Sequence, residues 1–176
     1  MTPVFQTPRI LARRWTLEDA PAALEIYGDP EVMHFLGDGT TPPVATLDIM
    51  RTRLQRRIES YDKFSGYGAW SIVDRALDKI VGTVILQPLE TSGLIEVGWH
   101  LARKFWGQGY ATEAGRAGMQ YGFDELKLDQ IVAVVNPANA RSLAVTKRLN
   151  MVHEGRRHFY SRDLEFFTAD QATWPG

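Results

Sequence analysis

The sequence contains no cysteine among its 176 residues. This absence excludes disulfide frameworks, zinc sites built from thiolates, iron–sulfur clusters and cysteine nucleophiles. The chain also lacks an excess of charge of either sign, since 20 lysine and arginine residues stand against 21 acidic ones. A nucleic-acid-binding protein normally shows a basic excess or a basic stripe, so we expect no nucleic acid as a partner.

Long apolar runs are absent as well. No uninterrupted apolar segment approaches the roughly 20 residues needed to span a bilayer, and residues 1–14 lack the apolar core of a secretion signal. We therefore expect a cytoplasmic protein with no membrane partner. His34, His153 and His158 are scattered along the chain, so no metal is expected. The basic run at 51–57 has helical spacing and is interpreted as the solvated face of a helix.

The hydrophobic pattern predicts one mixed α/β domain over residues 1–176, with no repeat or linker that would divide it. The order of elements favours a mostly antiparallel sheet flanked by helices over a doubly wound nucleotide fold. The predicted helices are 17–28, opened by Thr16 as its cap, then 30–35, 44–61, 112–126 and 140–149. The predicted strands are an edge strand at 9–15, then 67–73, 80–87, 94–101 and 131–135, and a closing hairpin of 153–160 and 164–168 around a turn at 161–163.

A glycine-containing loop at 104–111 joins a predicted strand to a predicted helix. Gly107 and Gly109 allow positive φ angles and a close approach of the backbone to a ligand. The first amide groups of the helix are unpaired, and its dipole favours an anion, so the unit is an expected cradle for a pyrophosphate. The P-loop pattern is absent, and Thr112 stands where the dinucleotide fingerprint needs its third glycine. Further glycines along the helix, at 115, 118 and 122, indicate either ligand binding or tight packing on the sheet.

The segment 95–114, from the strand through the loop into the helix, resembles motif A of the GNAT N-acetyltransferases. The family signature begins with Gln or Arg, has Gly three residues later and has Gly or Ala two residues after that. It corresponds to 104–109, where Lys104 occupies the first position. A second motif, Asn-x-x-Ser before a helix, corresponds to 139–142 and is followed by Asn and Met at 150–151. The resemblance covers nearly the whole chain and is greatest to the ribosomal-protein N-terminal acetyltransferase (RimJ/RimL-type) branch.

This resemblance implies the GNAT acyl-CoA N-acyltransferase fold, with a cofactor core at about 94–151 and acetyl-CoA as co-substrate. It implies transfer of the acetyl group to a primary amine, either a protein or peptide N-terminus or a small molecule, by direct attack in a ternary complex. A catalytically silent acyl-CoA-binding or sensing module is the alternative. The assembly expected is a monomer or a homodimer.

The resemblance also implies a cofactor site. The strand before the loop would diverge from strand 131–135, and the pantetheine arm would lie in the gap against the main chain of residues 99–101. The loop amides from residue 106 to residue 112 would receive the pyrophosphate. The implied cofactor-binding residues are Trp99, His100, Leu101, Lys104, Trp106, Gly107, Gln108, Gly109, Tyr110, Ala111, Thr112, Asn139 and Ser142.

Glu96 is the leading candidate for the catalytic base, because it lies on the strand that leads to the thioester. His100 shares its strand parity and is the alternative, whereas Trp99 would face the opposite side. Many relatives carry a tyrosine that protonates the leaving thiolate, and Thr146 occupies that position here. An aliphatic hydroxyl is a far poorer acid than a phenol. Ser142, water or unassisted departure of the thiolate therefore remain as options.

Two further roles are left open by the residues. Asn139 is expected as the cap of the helix at 140–149, as a contact of the cofactor, or as both. The main-chain N–H of Leu101 is a candidate donor to the oxyanion. An acceptor pocket would draw on aromatic and apolar side chains of the early helices and the terminal hairpin, with Tyr27, Met33, Phe35, Tyr160 and Phe166 as candidates.

Overall fold

The computed structural model describes residues 2–63 and 66–176. Eight strands form one sheet in the order β1-β2-β3-β4-β5-β6-β8-β7. The strands are β1 Phe5–Gln6, β2 Ile10–Arg13, β3 Gly68–Asp74, β4 Lys79–Pro88, β5 Ile95–Leu101, β6 Gln130–Val135, β7 Val152–Phe159 and β8 Arg162–Asp170. The helices are α1 Ala20–Tyr27, α2 Pro30–Met33, α3 Leu47–Ser60, α4 Tyr110–Asp124 and α5 Ala140–Arg148. The predicted mixed, mostly antiparallel α/β architecture is confirmed.

The pairing of β5 with β6 differs from every other pairing in the sheet. It is parallel, and it is limited to one position, Glu96 opposite Val132. The antiparallel pairs on either side are continuous over six or seven residues, so the sheet is well formed up to this seam. β5 and β6 therefore separate beyond Glu96, and the sequence-based expectation of a gap between them is met.

Several boundaries differ from those expected. The strand predicted as an edge is β2, and β1 pairs outside it. The turn of the closing hairpin lies at Tyr160-Ser161, because Phe159 already pairs with Arg162. α2 ends at Met33 and not at 35. α3 begins at Leu47 and not at 44, because the Thr46 hydroxyl accepts from the Ile49 amide and caps the helix there.

The glycine face of α4 packs on the sheet. A Cβ atom added at Gly115 would lie 2.9 Å from a Leu149 methyl carbon, and one at Gly122 would lie 2.7 Å from a methyl carbon of Ile131. Both glycines are buried. The close approach that the three glycines indicated is therefore made by the protein's own side chains, and α4 is held tightly against β5 and β6.

The basic run at 51–57 is only in part a solvated surface. Arg57 turns inward, where its Nη1 lies 3.3 Å from the Tyr27 hydroxyl and its guanidinium lies over the Tyr27 ring. The interpretation of the whole run as a solvated face is wrong at this residue, because a phenol on α1 offers it an acceptor and an aromatic face. No helix within the described ranges is long and apolar enough to cross a membrane.

Candidate active site

A cleft of about 1080 Å³ opens where β5 and β6 separate. Its first side is formed by the loop before α4 and by the start of α5. Its second side is formed by the end of α2, the segment that follows it, and the turn of the β7–β8 hairpin. Lining residues on the first side include Trp99, Leu101, Trp106, Gly107, Gly109, Tyr110, Ala111, Thr112, Asn139 and Ser142, and those on the second include Glu31, Phe35, Leu36, Glu96 and Tyr160.

The loop at the mouth of the cleft presents a row of free main-chain donors. Gly107 has φ 74° and Gly109 has φ 83°, which are left-handed conformations that glycine adopts without strain. Within the described chain, the six consecutive N–H groups of residues 107–112 have no hydrogen-bond acceptor. The Trp106 N–H is excluded from this row, because it donates to the Arg103 carbonyl oxygen at 3.1 Å. Six consecutive unpaired amides at the N-terminus of α4 can form a site for an anion.

Arg9 holds this loop from behind. Its Nε donates to Glu113 Oε2 at 2.7 Å, and its Nη1 donates to the Gln108 carbonyl oxygen at 2.9 Å. The guanidinium also lies 4.2 Å from the centre of the Tyr110 ring. Glu113 lies in the first turn of α4, where an unpaired carboxylate would repel a bound anion. The ion pair offsets that charge and fixes the loop at the same time.

Two of the expected cofactor-binding side chains do not line the cleft. Lys104 Nζ forms an ion pair with Glu25 Oε1 at 2.5 Å, which directs the side chain to α1. The Gln108 side chain donates back to the Lys104 carbonyl oxygen at 2.9 Å, so Gln108 offers the cleft only its main chain. Positive charge reaches the cleft from α5 instead, through Arg148 and through Arg141, whose guanidinium lies 4.6 Å from the centre of the Trp106 ring.

The alternation of strand β5 decides which main-chain groups face the gap. The Ala102 N–H donates to the Val81 carbonyl oxygen in β4. Because main-chain direction alternates along a strand, the N–H and C=O groups of His100 and Gly98 also point to β4. The carbonyl oxygen of His100 accordingly lies against β4, 2.4 Å from where a Cβ of Gly82 would be. The main chain of His100 is therefore not free to bond to the pantetheine arm, although the residue itself lines the cleft. The main-chain groups of Trp99 and Leu101 point to the gap. The Leu101 carbonyl oxygen, however, already accepts a hydrogen bond from Trp106 Nε1 at 2.9 Å.

The start of α5 combines a helix cap with polar groups at the cleft. Asn139 Oδ1 accepts from the Ser142 amide at 3.1 Å, which confirms its capping role. Ser142 Oγ accepts from Trp99 Nε1 at 3.3 Å and lines the cleft. Thr146 is fully buried, and its hydroxyl donates to the Leu143 carbonyl oxygen at 2.9 Å. The position that holds a tyrosine in many relatives is thus turned away from the cleft.

Glu96 lies at the narrow end of the gap and is 8% exposed. Its Oε1 accepts from the Tyr160 hydroxyl at 2.5 Å and from Gln87 Nε2 at 3.4 Å. Burial raises the pKa of the Glu96 carboxyl above its usual range, because the loss of hydration outweighs the two hydrogen bonds. The sequence named Tyr160 only as a candidate pocket residue, because nothing local links two residues so far apart along the chain.

His100 shares the face of Glu96 but lies in a different environment. Its Nδ1 is 3.2 Å from the Tyr27 hydroxyl, which is also 2.7 Å from Thr83 Oγ1. Burial, together with the positive charge of Arg57, lowers the pKa of His100 to about 3. The ring is therefore neutral near pH 7 and is too weak a base to take a proton from an ammonium group.

We expect the ring nitrogens of His100 to show no titration between pH 5 and pH 8. Protonation would place a charge in a buried position beside Arg57, which is unfavourable. Nitrogen-15 NMR of the imidazole nitrogens checks this, with the His100→Gln variant used to assign the signal. A midpoint between pH 6 and pH 7 would contradict the result and restore His100 as a candidate base.

The acceptor-pocket candidates divide into two groups. Phe35 and Tyr160 line the cleft. Tyr27 and Met33 are core residues between the helices and the sheet, and Phe166 is buried in a second apolar cluster around β6 and β8. Within residues 2–63 and 66–176, no three side chains of His, Asp or Glu come together as a metal site.

Comparisons with known proteins show the family and the fold of the chain. Residues 9–152 match the model of the acetyltransferase (GNAT) domain. An uncharacterized N-acetyltransferase, p20, from Bacillus licheniformis is 29% identical over 89% of this chain and 86% of its own. A GNAT-family acetyltransferase structure from Bacillus anthracis superimposes with a TM-score of 0.80 at 23% identity, over 96% of this chain and 98% of that one. RimL, a ribosomal alpha-N-protein acetyltransferase solved in complex with coenzyme A, superimposes with a TM-score of 0.78 at 17% identity. The match covers 96% of this chain and 98% of that one.

Proposed function

Because the chain belongs to the acetyltransferase (GNAT) family, whose members use acetyl-CoA, we propose that it acetylates a small primary amine by direct attack within a ternary complex. The observation that carries the proposal is the row of free amides at 107–112, placed at the open end of the gap between β5 and β6. An anion-binding row and an adjoining slot between strands suit a ligand with a pyrophosphate and a long, amide-containing arm.

The residues present fit the cofactor in three places. The amides of 107–112 would hold the pyrophosphate, with Arg141 and Arg148 adding positive charge from α5. The main chain of Trp99 and Leu101 would bond to the pantetheine arm in the gap. The Asn139 amide nitrogen and the Ser142 hydroxyl border the same slot. The acetyl thioester of the bound co-substrate supplies the activated acyl group. These assignments place the cofactor within the core at 94–151.

Position along β5 separates the roles of its free amides. Each strand residue advances by about 3.3 Å, so Leu101 lies roughly 16 Å beyond Glu96 and next to the loop. The Trp99 N–H is nearer to Glu96, where the acceptor amine would meet the carboxylate. We therefore assign the oxyanion contact to the Trp99 N–H, and leave the Leu101 N–H to the cofactor arm. Ser142, bonded to the Trp99 indole, remains a candidate donor of a proton to the leaving sulfur.

The acceptor requires a base. A simple alkyl amine has a pKa near that of lysine, about 10.4, so almost all of it is protonated at pH 7. Glu96 is the carboxylate at the narrow end of the cleft, and we propose it as the group that finally holds the amine's proton. Its raised pKa makes its carboxylate a stronger base than that of an ordinary glutamate.

Two features of the second side of the cleft support a small acceptor with an apolar body. The segment after α2 touches the hairpin, where Arg162 Nη1 lies 3.4 Å from the Gly37 carbonyl oxygen, and this contact narrows the access that a polypeptide would need. The lining on this side has the acidic residues Glu31 and Glu96 and the polar residues Gln87 and Tyr160, and the rest is largely apolar. The apolar side chains are Val32, Phe35, Leu36, Ile85 and Leu164.

An acceptor screen tests the proposal. The protein is incubated with acetyl-CoA and a panel of phenethylamine, hexylamine, ethanolamine, glycine and a peptide with a free N-terminus, and the released thiol is measured. We expect turnover with the two amines of apolar body and much less with ethanolamine and glycine. Thermal stabilisation by acetyl-CoA is recorded in parallel. Stabilisation without thiol release would indicate the silent acyl-CoA-binding alternative, and efficient turnover of the peptide alone would favour a protein N-terminus as the acceptor.

A further inference from the structure

The turn of the β7–β8 hairpin holds a tyrosine in an unusual backbone conformation. Tyr160 has φ 51° and Ser161 has φ 57°, both in the left-handed region. Two-residue hairpin turns of this kind normally use Asn and Gly, which enter that region with little strain. A bulky side chain there is uncommon, and such backbone outliers concentrate at functional sites.

The turn aims the phenol of Tyr160 at the carboxylate of Glu96. The hydroxyl donates to Glu96 Oε1 at 2.5 Å, and both residues line the cleft. Glu96 is almost fully buried, whereas Tyr160 is half-buried. The phenolic oxygen is therefore the more accessible end of the pair to an acceptor that enters beside Phe35 and Leu36.

The other polar groups near the pair do not replace it. Gln87 donates to the same Glu96 oxygen at 3.4 Å and has no titratable group. His100, on the same face of β5, bonds to Tyr27 and is neutral. Thr146 is buried and bonded to main chain, so α5 offers no hydroxyl at that position. Tyr160 supplies the cleft with a phenol from the opposite side.

Resting on the function proposed above, we propose that Tyr160 is a catalytic residue that relays the proton of the attacking amine to Glu96. The amine reacts as its neutral form, after its ammonium proton has passed to water. As nitrogen bonds to the acetyl carbon and gains a positive charge, one N–H bond of the amine breaks and its proton joins the phenolic oxygen. The original phenolic O–H bond breaks in the same step, and that proton forms an O–H bond with Glu96 Oε1. Nitrogen loses its positive charge, the carboxylate loses its negative charge, and the phenol is neutral before and after.

The cycle closes without another reactant. The bond from the acetyl carbon to sulfur breaks with its electron pair on sulfur, and coenzyme A leaves as a thiol after taking a proton from Ser142 or water. Glu96 then returns its proton to water and is again a carboxylate, and Ser142, where it was the donor, takes a proton back from water. Tyr160 itself does not protonate the sulfur in this scheme. Burial and the adjacent negative charge of Glu96 raise the pKa of the phenol well above its usual range.

A double-mutant cycle tests the relay. Tyr160→Phe, Glu96→Gln and the double variant are compared with the wild type for kcat and KM with the best amine of the screen, and for acetyl-CoA affinity by calorimetry. Because the two groups act in series, we expect each variant to lower kcat by about 100-fold, with no further loss in the double variant. Acetyl-CoA affinity should stay within twofold. Tyr121→Phe is the matched control, since that hydroxyl bonds to the Gly66 carbonyl oxygen away from the cleft.

Three results would overturn the relay. Wild-type kcat in Tyr160→Phe would show that Glu96 acts without the phenol, and losses that multiply in the double variant would show independent roles. In both of these the wild type still turns over, so the proposed function stands. Absence of thiol release by the wild type with every amine would overturn the function and the relay together. If Tyr160→Phe is unstable, Tyr160→Asn keeps a residue that tolerates the left-handed turn and should show the same loss of kcat.

Discussion

Gly107→Asp is expected to weaken acetyl-CoA binding by at least about 100-fold. The substitution places a carboxylate in the row of amides at 107–112, next to the expected pyrophosphate. Two like charges about 5 Å apart repel by roughly 1 to 3 kcal/mol at effective dielectric constants between 80 and 20. The side chain also occupies the space that the anion needs. Isothermal calorimetry with acetyl-CoA measures the effect, and Gly107→Ala should show an intermediate loss.

Gly93→Asp is the matched control for this variant. Gly93 has φ 78°, against 74° for Gly107, and an added Cβ meets no atom within 4 Å at either position. Both substitutions therefore introduce the same backbone strain, about 1 kcal/mol, and leave the packing unchanged. The Gly93 variant should bind acetyl-CoA like the wild type. A Gly107→Asp protein that folds and keeps full affinity would show that the loop does not hold the pyrophosphate.

The unit from β5 through the loop to α4 could be predicted because its signals are local. A strand, two glycines and a helix follow one another within 94–126, and the requirement for positive φ is a property of single residues. The turn of the closing hairpin was misplaced by one residue, since Tyr160 is not among the residues that normally form two-residue turns. The polar residues that follow drew the predicted turn to 161–163.

The direction of individual side chains was the other feature that the sequence could not predict, because it depends on residues distant in sequence. Lys104 was expected at the cofactor, but Glu25 on α1 provides a carboxylate on the other side of the loop. Arg57 was expected in solvent, but Tyr27 provides a buried acceptor. The alternation of β5 could be read from sequence for side chains, yet the main-chain direction at His100 follows only from its pairing with β4.

Glu96→Gln is expected to lower kcat by about 100-fold, at the lower end of the usual contribution of a general base. The amide keeps the shape of the side chain and can still accept from Tyr160, so the affinity for acetyl-CoA should change by less than twofold. Steady-state kinetics with a saturating amine, together with calorimetry, separates the two effects. A Glu96→Gln protein with the wild-type rate would remove Glu96 from the mechanism.

The pH dependence of kcat/KM gives an independent test. Glu96 must be ionised to take a proton, and burial raises its pKa above the ordinary value near 4.5, so the rate should fall as the pH drops through that raised pKa. Glu96→Gln should lack this acidic limb. The hydrogen bond from Tyr160 lowers the pKa of Glu96, whereas the charge of Glu90 raises it, and Glu31 also borders the cleft. Glu90→Gln should therefore keep kcat at pH 7 and move the acidic fall of kcat/KM to lower pH. If that fall does not shift, a group other than Glu96 causes it.

The same burial predicts the effect of Glu96→Gln on stability. A carboxyl whose pKa is raised by folding adds stability below its unfolded pKa, and that contribution is lost as the pH rises through the folded value. Above the folded pKa the wild type holds a charged group in an environment that disfavours it, and the neutral amide removes this cost. The thermal midpoint of Glu96→Gln at pH 7 should equal or exceed that of the wild type. A variant that is at least as stable and nearly inactive would show that the carboxylate is kept for chemistry at the expense of the fold.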